Sequence, residues 1–173
     1  MKKILLLAIV FFCCVGIMQA SQTGNWKAYM AYSDVQDVEQ GSGNIIYVLA
    51  SNNIYSYNTA DQSIQTFDKT NGLSDCNILH ISYNKSAKRL VIVYSNQNID
   101  LMDDKGNVVN ISDYYNSSVT LDKNINDIYQ SLGYAYLSTG FGIVKLNVAN
   151  AEISDTYNLG FKVDYSYLDS EYI

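Results

Sequence analysis

The sequence predicts an all-β protein: a β-propeller fragment of about three four-stranded antiparallel blades, incomplete as a ring. Three observations predict it. A unit recurs three times, with separations of 45 and 44 residues between equivalent isoleucines. Each unit divides into four short apolar segments punctuated by Asn, Asp, Ser and Gly. No stretch beyond the N-terminal segment keeps a helical spacing of apolar residues, which excludes helical repeats. A fixed period in this range marks solenoids and propellers, and four strands in about 40–45 residues make one propeller blade.

The chain of 173 residues opens with "MKKILLLAIVFFCCVGIMQASQ". Lys2 and Lys3 form a positive head, Ile4 to Met18 an apolar run, and Ala20 a small residue at a cleavage point. This is the layout of a secretory signal peptide over residues 1–20, leaving 21–173 as a partial propeller. An uncleaved anchor is the rival, but the run is short of the roughly 20 residues a span needs. Phe11 and Phe12 precede Cys13, which excludes a lipoprotein signal. Without the segment, Lys+Arg falls from 11 to 9 while Asp+Glu stays at 17, leaving a net charge of −8. Such acidity argues against nucleic acid, which selects a basic face. Cys13 and Cys14 leave with the segment, so Cys76 remains alone and no internal disulfide forms.

The three units are "IIYVLASNNIYSYNTADQSIQTF" (45–67), "LVIVYSNQNIDLMDDKGNVVNIS" (90–112) and "YAYLSTGFGIVKLNVANAEISDT" (134–156). They align without gaps on Ile54, Ile99 and Ile143, the start of each third strand. Seven positions earlier stand Tyr47, Ile92 and Tyr136, in second strands that are apolar at successive positions and so expected to be buried on both faces. Ten positions later stand Ile64, Val109 and Ile153, in the fourth strands. Upstream lie apolar pairs spaced by three, Val35/Val38, Ile78/Ile81 and Ile125/Ile128, each after Asp34, Asn77 or Asn124. The blades are expected at about 34–67, 76–112 and 124–156, with 157–173 starting a further one. A closed propeller uses about 4–8 blades. Three imply a fragment of a longer protein, or a chain that closes its ring by association.

The candidate chemical groups read mainly as structure. Asp103 and Asp104 adjoin Gly106, but the aligned turn position is Asn58, Asp103 and Asn147, charged in one copy of three. Asn and Asp suit turns because their side chains bond the local backbone. The calcium-loop spacing is absent. His80, the single histidine, aligns with Asp37 and Asp127, so a polar residue belongs to the repeat there. Cys76 lies four residues from it, about 13 Å along a strand, too far for a thiolate–imidazole pair. Zinc wants three or four ligands, which one His and one Cys do not supply. Gly140 and Gly142 in "STGFGIV" precede a strand, not the helix a phosphate loop requires, and are expected to turn the chain. Trp26, Tyr29 and Tyr32 form an aromatic group expected to pack between sheets, with a carbohydrate platform as the alternative. Asn110 and Asn116 match glycosylation sequons. No catalytic, metal or cofactor-binding residue is assigned, and no cofactor is expected; the binding residues are left open.

"NGLSDCNILHISYNKSAKRLVIVYSNQNIDLMDD" resembles a bacterial propeller repeat in which Gly-Leu-Ser-Asp leads into an Ile-x-x-Ile strand, an apolar strand and an Ile-initiated strand. Two families share it: the exported sensor propellers of hybrid two-component regulators, and the N-terminal propellers of PorZ-type proteins of the type IX secretion system. "IDLMDDKGNVVNISD", "DKNINDI" and "AYLSTGFGIVKLN" look like second and third blades of the latter, and "NWKAYMAYSDV" like its start. The sensor repeats usually carry Trp and Gly in the second strand, where this chain has "IIYVLAS", "LVIVYSN" and "YAYLSTG".

The PorZ-type resemblance implies a non-enzymatic binding and scaffold module, an N-terminal piece of an accessory protein involved in cargo attachment at the outer membrane. It implies an exported protein of the periplasm or outer-membrane surface, with secretion-complex proteins and lipopolysaccharide as partners. It supplies no functional residue motif. The alternative is the ligand-sensing propeller of a two-component regulator.

Overall fold

A computed structural model of the chain describes residues 31–118 and 121–158. The expected signal peptide, Trp26, Tyr29 and residues 159–173 of the expected further blade lie outside the described residues.

Among the described residues twelve strands form three antiparallel sheets, each in simple chain order. The first sheet contains β1 (Val35–Gln40), β2 (Ile45–Ala50), β3 (Asn53–Asn58) and β4 (Ile64–Phe67). The second contains β5 (Ile78–Asn84), β6 (Arg89–Tyr94), β7 (Ile99–Asp103) and β8 (Val108–Ile111). The third contains β9 (Ile125–Ser131), β10 (Tyr134–Thr139), β11 (Gly142–Asn147) and β12 (Glu152–Asn158). The sheets pack face to face, and the first strands β1, β5 and β9 are neighbours in space. This is a propeller fragment of three blades, as the repeat predicts.

The alternation of side chains along β6 explains why the blades hold together. Leu90, Ile92 and Tyr94 enter one core with Tyr47, Leu49, Ile54 and Phe67 of the first blade. Val91 and Val93 point the other way, into a core with Ala135, Leu137, Val144 and Leu146 of the third. Successive strand residues face opposite sides, so one sheet serves two cores. Each blade therefore has a rear face, toward the preceding blade, and a forward face, toward the next.

The expectation that every second strand is buried on both faces holds for β6, whose five residues from Leu90 are fully buried, and for Tyr47–Ala50 of β2, but not for β10, where residues alternate between buried and half-buried or exposed. In β2 Ile46, and in β10 Tyr136, are only half-buried. Those sides belong to the outer two blades, each of which has one neighbouring blade among the described residues.

The gapless alignment also needs correction. The turn between β2 and β3 has two residues, because Ala50 pairs with Asn53. The turn between β10 and β11 likewise has two, Thr139 pairing with Gly142. In the second blade the Tyr94 N–H donates to the Asn98 carbonyl at 3.0 Å, leaving a three-residue turn, Ser95–Asn96–Gln97. One extra residue shifts the second strand by one, and a one-residue shift exchanges its faces. Tyr47 therefore corresponds to Val91, not Ile92; both face forward.

The apolar pairs spaced by three have a physical origin. Same-face residues of a regular strand are two apart, so a spacing of three needs an extra residue. Each first strand has one: the register shifts between Val35 and Asp37, between Ile78 and His80, and between Ile125 and Asp127. Gln36, Leu79 and Asn126 are the inserted positions. A β-bulge of this kind bends its strand and increases the local twist.

The linkers are fixed to the blades they join. Asp68 and Asn71 close the first linker by bonding each other's neighbourhood: Asp68 Oδ1 accepts from Thr70 N, and Asn71 Oδ1 from Asp68 N, both at 2.6 Å. Leu73 then drops into the core between blades one and two. The second linker contains a single helical turn, α1 (Ser112–Asn116), which the sequence reading lacks. Its Tyr114 enters the core between blades two and three and donates to Lys123 O at 2.7 Å. Lys123 Nζ donates back to the carbonyls of Tyr115 and Ser117, closing the loop.

Candidate interaction surface

Each residue singled out from the sequence has a definite place. Asp103 Oδ1 accepts from the backbone N–H groups of Lys105 and Asn107 at 2.9 and 2.8 Å, and Oδ2 accepts from the Asn107 amide at 2.8 Å. The Asn107 amide foremost, with those N–H groups, holds the Asp103 carboxyl below its ordinary value. Gly106 supplies a left-handed residue, φ 84°. The aligned Asn58 and Asn147 accept from Ala60 N and Asn150 N at 2.9 and 3.1 Å. The turn reading of this position is correct in all three blades.

Asp104 has a second task the sequence did not reveal. It accepts from Tyr83 Oη at 2.7 Å, and Tyr83 Oη accepts from Ser42 Oγ at 2.7 Å. The relay links a turn of the first blade to two elements of the second. Tyr47 stacks on Tyr83 with centroids 5.9 Å apart. Burial, then the nearby Asp104, raises the Tyr47 hydroxyl to about 12.

Asp100 was also missed. It is fully buried in β7. Its Oδ2 accepts from Ser74 N of the linker at 2.8 Å and from Tyr94 Oη at 2.5 Å, and Oδ1 accepts from the Asn110 amide at 2.8 Å. Burial first, then the Asp100 hydrogen bond, pushes the Tyr94 hydroxyl far up. Among the described residues no buried side-chain polar atom lacks a partner. The signal available in the sequence was an acid in an otherwise apolar strand, "IDLM", since a buried charge requires partners.

The remaining groups do not converge. His80 pairs with Val93 across the sheet, as Asp37 pairs with Leu49 and Asp127 with Ser138, so the three are equivalent. Cys76 is exposed in the first linker. Gly140 and Phe141 form the turn into β11, and a Cβ on Gly140 would lie 2.6 Å from Asp122 of the linker. Tyr32 meets the ring of Tyr55 edge-on at 5.5 Å. The Asn110 side chain is held by Asp100 and Asn98, while Asn116 is exposed at the end of α1. Among the described residues no three His, Cys, Asp or Glu side chains are placed to share a metal ion.

What the fold does offer is surface. The forward face of the third blade bears Tyr129, 67% exposed, and Tyr157, 41% exposed. A groove of about 380 Å³ runs beside them, lined by Tyr129, Ser131, Tyr136, Ser138 and Ile143. The rear face of the first blade has a groove of about 410 Å³, with Val38, Gln40 and Ile46 among its lining. A third surface is the blade rim where β5–β6 and β7–β8 turn. Arg89 pairs with Asp103 across the sheet, so both turns leave at the same end. They carry Lys85, Lys88 and Lys105, all exposed. Among the described residues the ion pair within 4.0 Å is Lys69 with Asp75 at 3.8 Å, while Lys105 and Lys85 act through charge on the Asp103 and Glu39 carboxyls. Arg89 instead donates to the carbonyls of Val148 and Ala149 in the third blade.

Over residues 46–173 the sequence matches the family described as "TSS9, PorZ, N-terminal beta-propeller domain". The chain belongs to this PorZ family. A solved PorZ structure from Porphyromonas gingivalis, described as an essential bacterial surface component of the type-IX secretion system, is 32% identical with a TM-score of 0.72. The match covers 78% of this chain and 18% of that one, so the chain spans less than a fifth of that PorZ. The extracellular domain of the putative hybrid two-component system BT4673 from B. thetaiotaomicron is 16% identical, TM-score 0.56, covering 72% of this chain and 17% of its own. AztD from Citrobacter koseri is 13% identical, TM-score 0.54, with 72% and 34% covered. These two likenesses show the propeller fold alone. No curated protein matches. Among the described residues no helix is long and apolar enough to cross a membrane, which says nothing of β-barrels.

Proposed function

We propose that the chain is an N-terminal propeller segment of a type IX secretion accessory protein, working as a non-enzymatic scaffold in cargo attachment at the outer-membrane surface. The observation that carries this reading is the PorZ family match over residues 46–173. The 32% identity to the P. gingivalis PorZ supports it. Its partners are other secretion-complex proteins and anionic lipopolysaccharide.

The rim lysines supply a surface for the anionic partner. The intact chain has 17 Asp and Glu against 11 Lys and Arg, so a general attraction to anions is not expected. Lys85, Lys88 and Lys105 instead stand at one end of the second blade, three exposed cations beside the two carboxylates of Asp103 and Asp104. Exposed cations on turns bind polyanions through charge, and salt weakens such binding.

The test is affinity capture of the tagged, full-length gene product from cell envelopes. Secretion-complex proteins and lipopolysaccharide are expected in the eluate. The triple variant Lys85→Glu, Lys88→Glu, Lys105→Glu is expected to lose the lipopolysaccharide and keep its fold. An eluate with neither secretion proteins nor lipopolysaccharide, or with only a soluble sugar, contradicts the proposal.

A further inference from the structure

We propose that Asn71 and Gly72 form a self-modification site that the folded first linker holds shut. When the linker opens, the Gly72 nitrogen attacks the Asn71 side chain, and the resulting aspartate or isoaspartate prevents the linker from closing as before.

The chemistry needs an asparagine amide, an unhindered backbone nitrogen directly after it, and water. The chain has one Asn followed by Gly, at Asn71–Gly72. Glycine leaves its nitrogen unscreened by a side chain and gives the backbone the freedom that ring closure requires. Both residues are exposed. Among the described residues the Gly72 N–H has no hydrogen-bond partner. The step balances without an oxidant or reductant. A bond forms between Gly72 N and Asn71 Cγ, the Cγ–Nδ2 bond breaks, and Nδ2 leaves as ammonia with the Gly72 proton. Water then opens the cyclic imide. Attack at Cγ gives aspartate, and attack at the backbone carbonyl gives isoaspartate.

The fold withholds the amide from this reaction. Asn71 Oδ1 accepts from Asp68 N at 2.6 Å, and Asn71 Nδ2 donates to Thr66 O at 2.7 Å. Both partners precede Asn71 in the chain, whereas the attacking nitrogen follows it. The Asn71 and Leu73 N–H groups both donate to Asp68 O, at 3.2 and 3.1 Å. Leu73 is itself buried in the core between blades one and two. Ring closure therefore requires both side-chain bonds to break and the turn around Asp68 to open.

The product cannot restore these bonds. A carboxylate has acceptors and no donor, so an oxygen would face the Thr66 carbonyl where Nδ2 now donates. Isoaspartate also lengthens the backbone by a methylene between Asp68 and Leu73. Beyond Leu73 the Ser74 N–H donates to Asp100 at 2.8 Å, which confines the change to the first half of the linker.

The experiment is tryptic mass spectrometry of the purified full-length gene product, incubated at mildly alkaline pH both folded and in urea. The peptide between Lys69 and Lys85 contains Asn71 and also Asn77, which precedes Ile78 and serves as an internal control. In urea Asn71 is expected to exchange its amide for a carboxyl while Asn77 does not. In the folded protein the conversion is expected to be at least about tenfold slower, because it waits for local opening. In the Asn71→Asp variant the Leu73 amide hydrogen is expected to exchange at least about tenfold faster than in the parent, with the Leu137 amide of the third blade unchanged. No conversion of Asn71 in urea, or equal rates in the folded and unfolded protein, overturns the proposal. Unchanged exchange at Leu73 in the variant overturns it too, as does equal acceleration at Leu137, since the loss would then be global.

Discussion

Asp103 shows how a charged residue earns its place without doing chemistry. Three hydrogen bonds favour its ionised form and hold its folded value below the ordinary 3.8. A carboxyl depressed on folding contributes stability above its unfolded value and loses it as the pH falls through the folded one. Its contribution is therefore complete near neutrality and disappears below about pH 4. Asp61 and Asp75 shift in the same direction, through Ser63 and the Cys76 N–H respectively. The Asp103→Asn variant is expected to lose less stability than the parent on acidification, measured as the urea midpoint from neutral pH to below 3.8. An unchanged acid slope would remove Asp103 from this account. The neighbouring Asp104 illustrates the limit of sequence reading. Nothing local distinguishes it from a second turn residue, because its partner Tyr83 is 21 positions away and in another strand. Asp100 is a similar case: its partners come from a linker and two strands.

At the scale of the element, periodicity carried most of the information. The common isoleucines located every third strand, and the Asn/Asp position located the turn that follows it. The spacing of three in the first strands was visible as a pattern, but its cause was not. A bulge is defined by the partner strand, which a single sequence does not display. Among the second strands, β10 departs from the expected double burial in an instructive way. Three apolar runs look alike in sequence, yet only β6 has a sheet on each side. The three-residue turn after it passed unnoticed because a gapless alignment places the extra residue within the strand. The short α1 escaped for a different reason: five residues cannot establish a helical period. These differences predict unequal sensitivity. Ile92→Ala removes a fully buried side chain of β6 and is expected to cost about 2–5 kcal/mol. Ile64→Ala in β4, where the side chain is 64% exposed, is expected to fall within about 0.5 kcal/mol. Chemical denaturation of the two variants gives the comparison, and equal losses would contradict the assignment of faces.

For the whole molecule, stability is shared between neighbours instead of residing in each blade. A single four-stranded sheet has two apolar faces and buries neither alone. Among the described residues, stacking solves this for the middle blade and half-solves it for the outer two. The candidate surfaces follow from the same arrangement: the outer faces of the two end blades and a lysine-bearing rim on the middle blade. The sequence made the architecture legible because the unit repeats. It left the surfaces obscure, since Lys85 and Lys105 share one end of the blade only through the pairing of β6 with β7.

The central claim is that β6 alternates between two cores, one on each side of its sheet. Methyl nuclear Overhauser contacts from a selectively labelled sample test it directly. The account predicts that Leu90 and Ile92 see methyls of the first blade, such as Leu49 and Ile54, while Val91 and Val93 see Leu137 and Val144 of the third. Contacts from all four residues to the same blade, or backbone contacts pairing β4 with β5 as one continuous sheet, would contradict it.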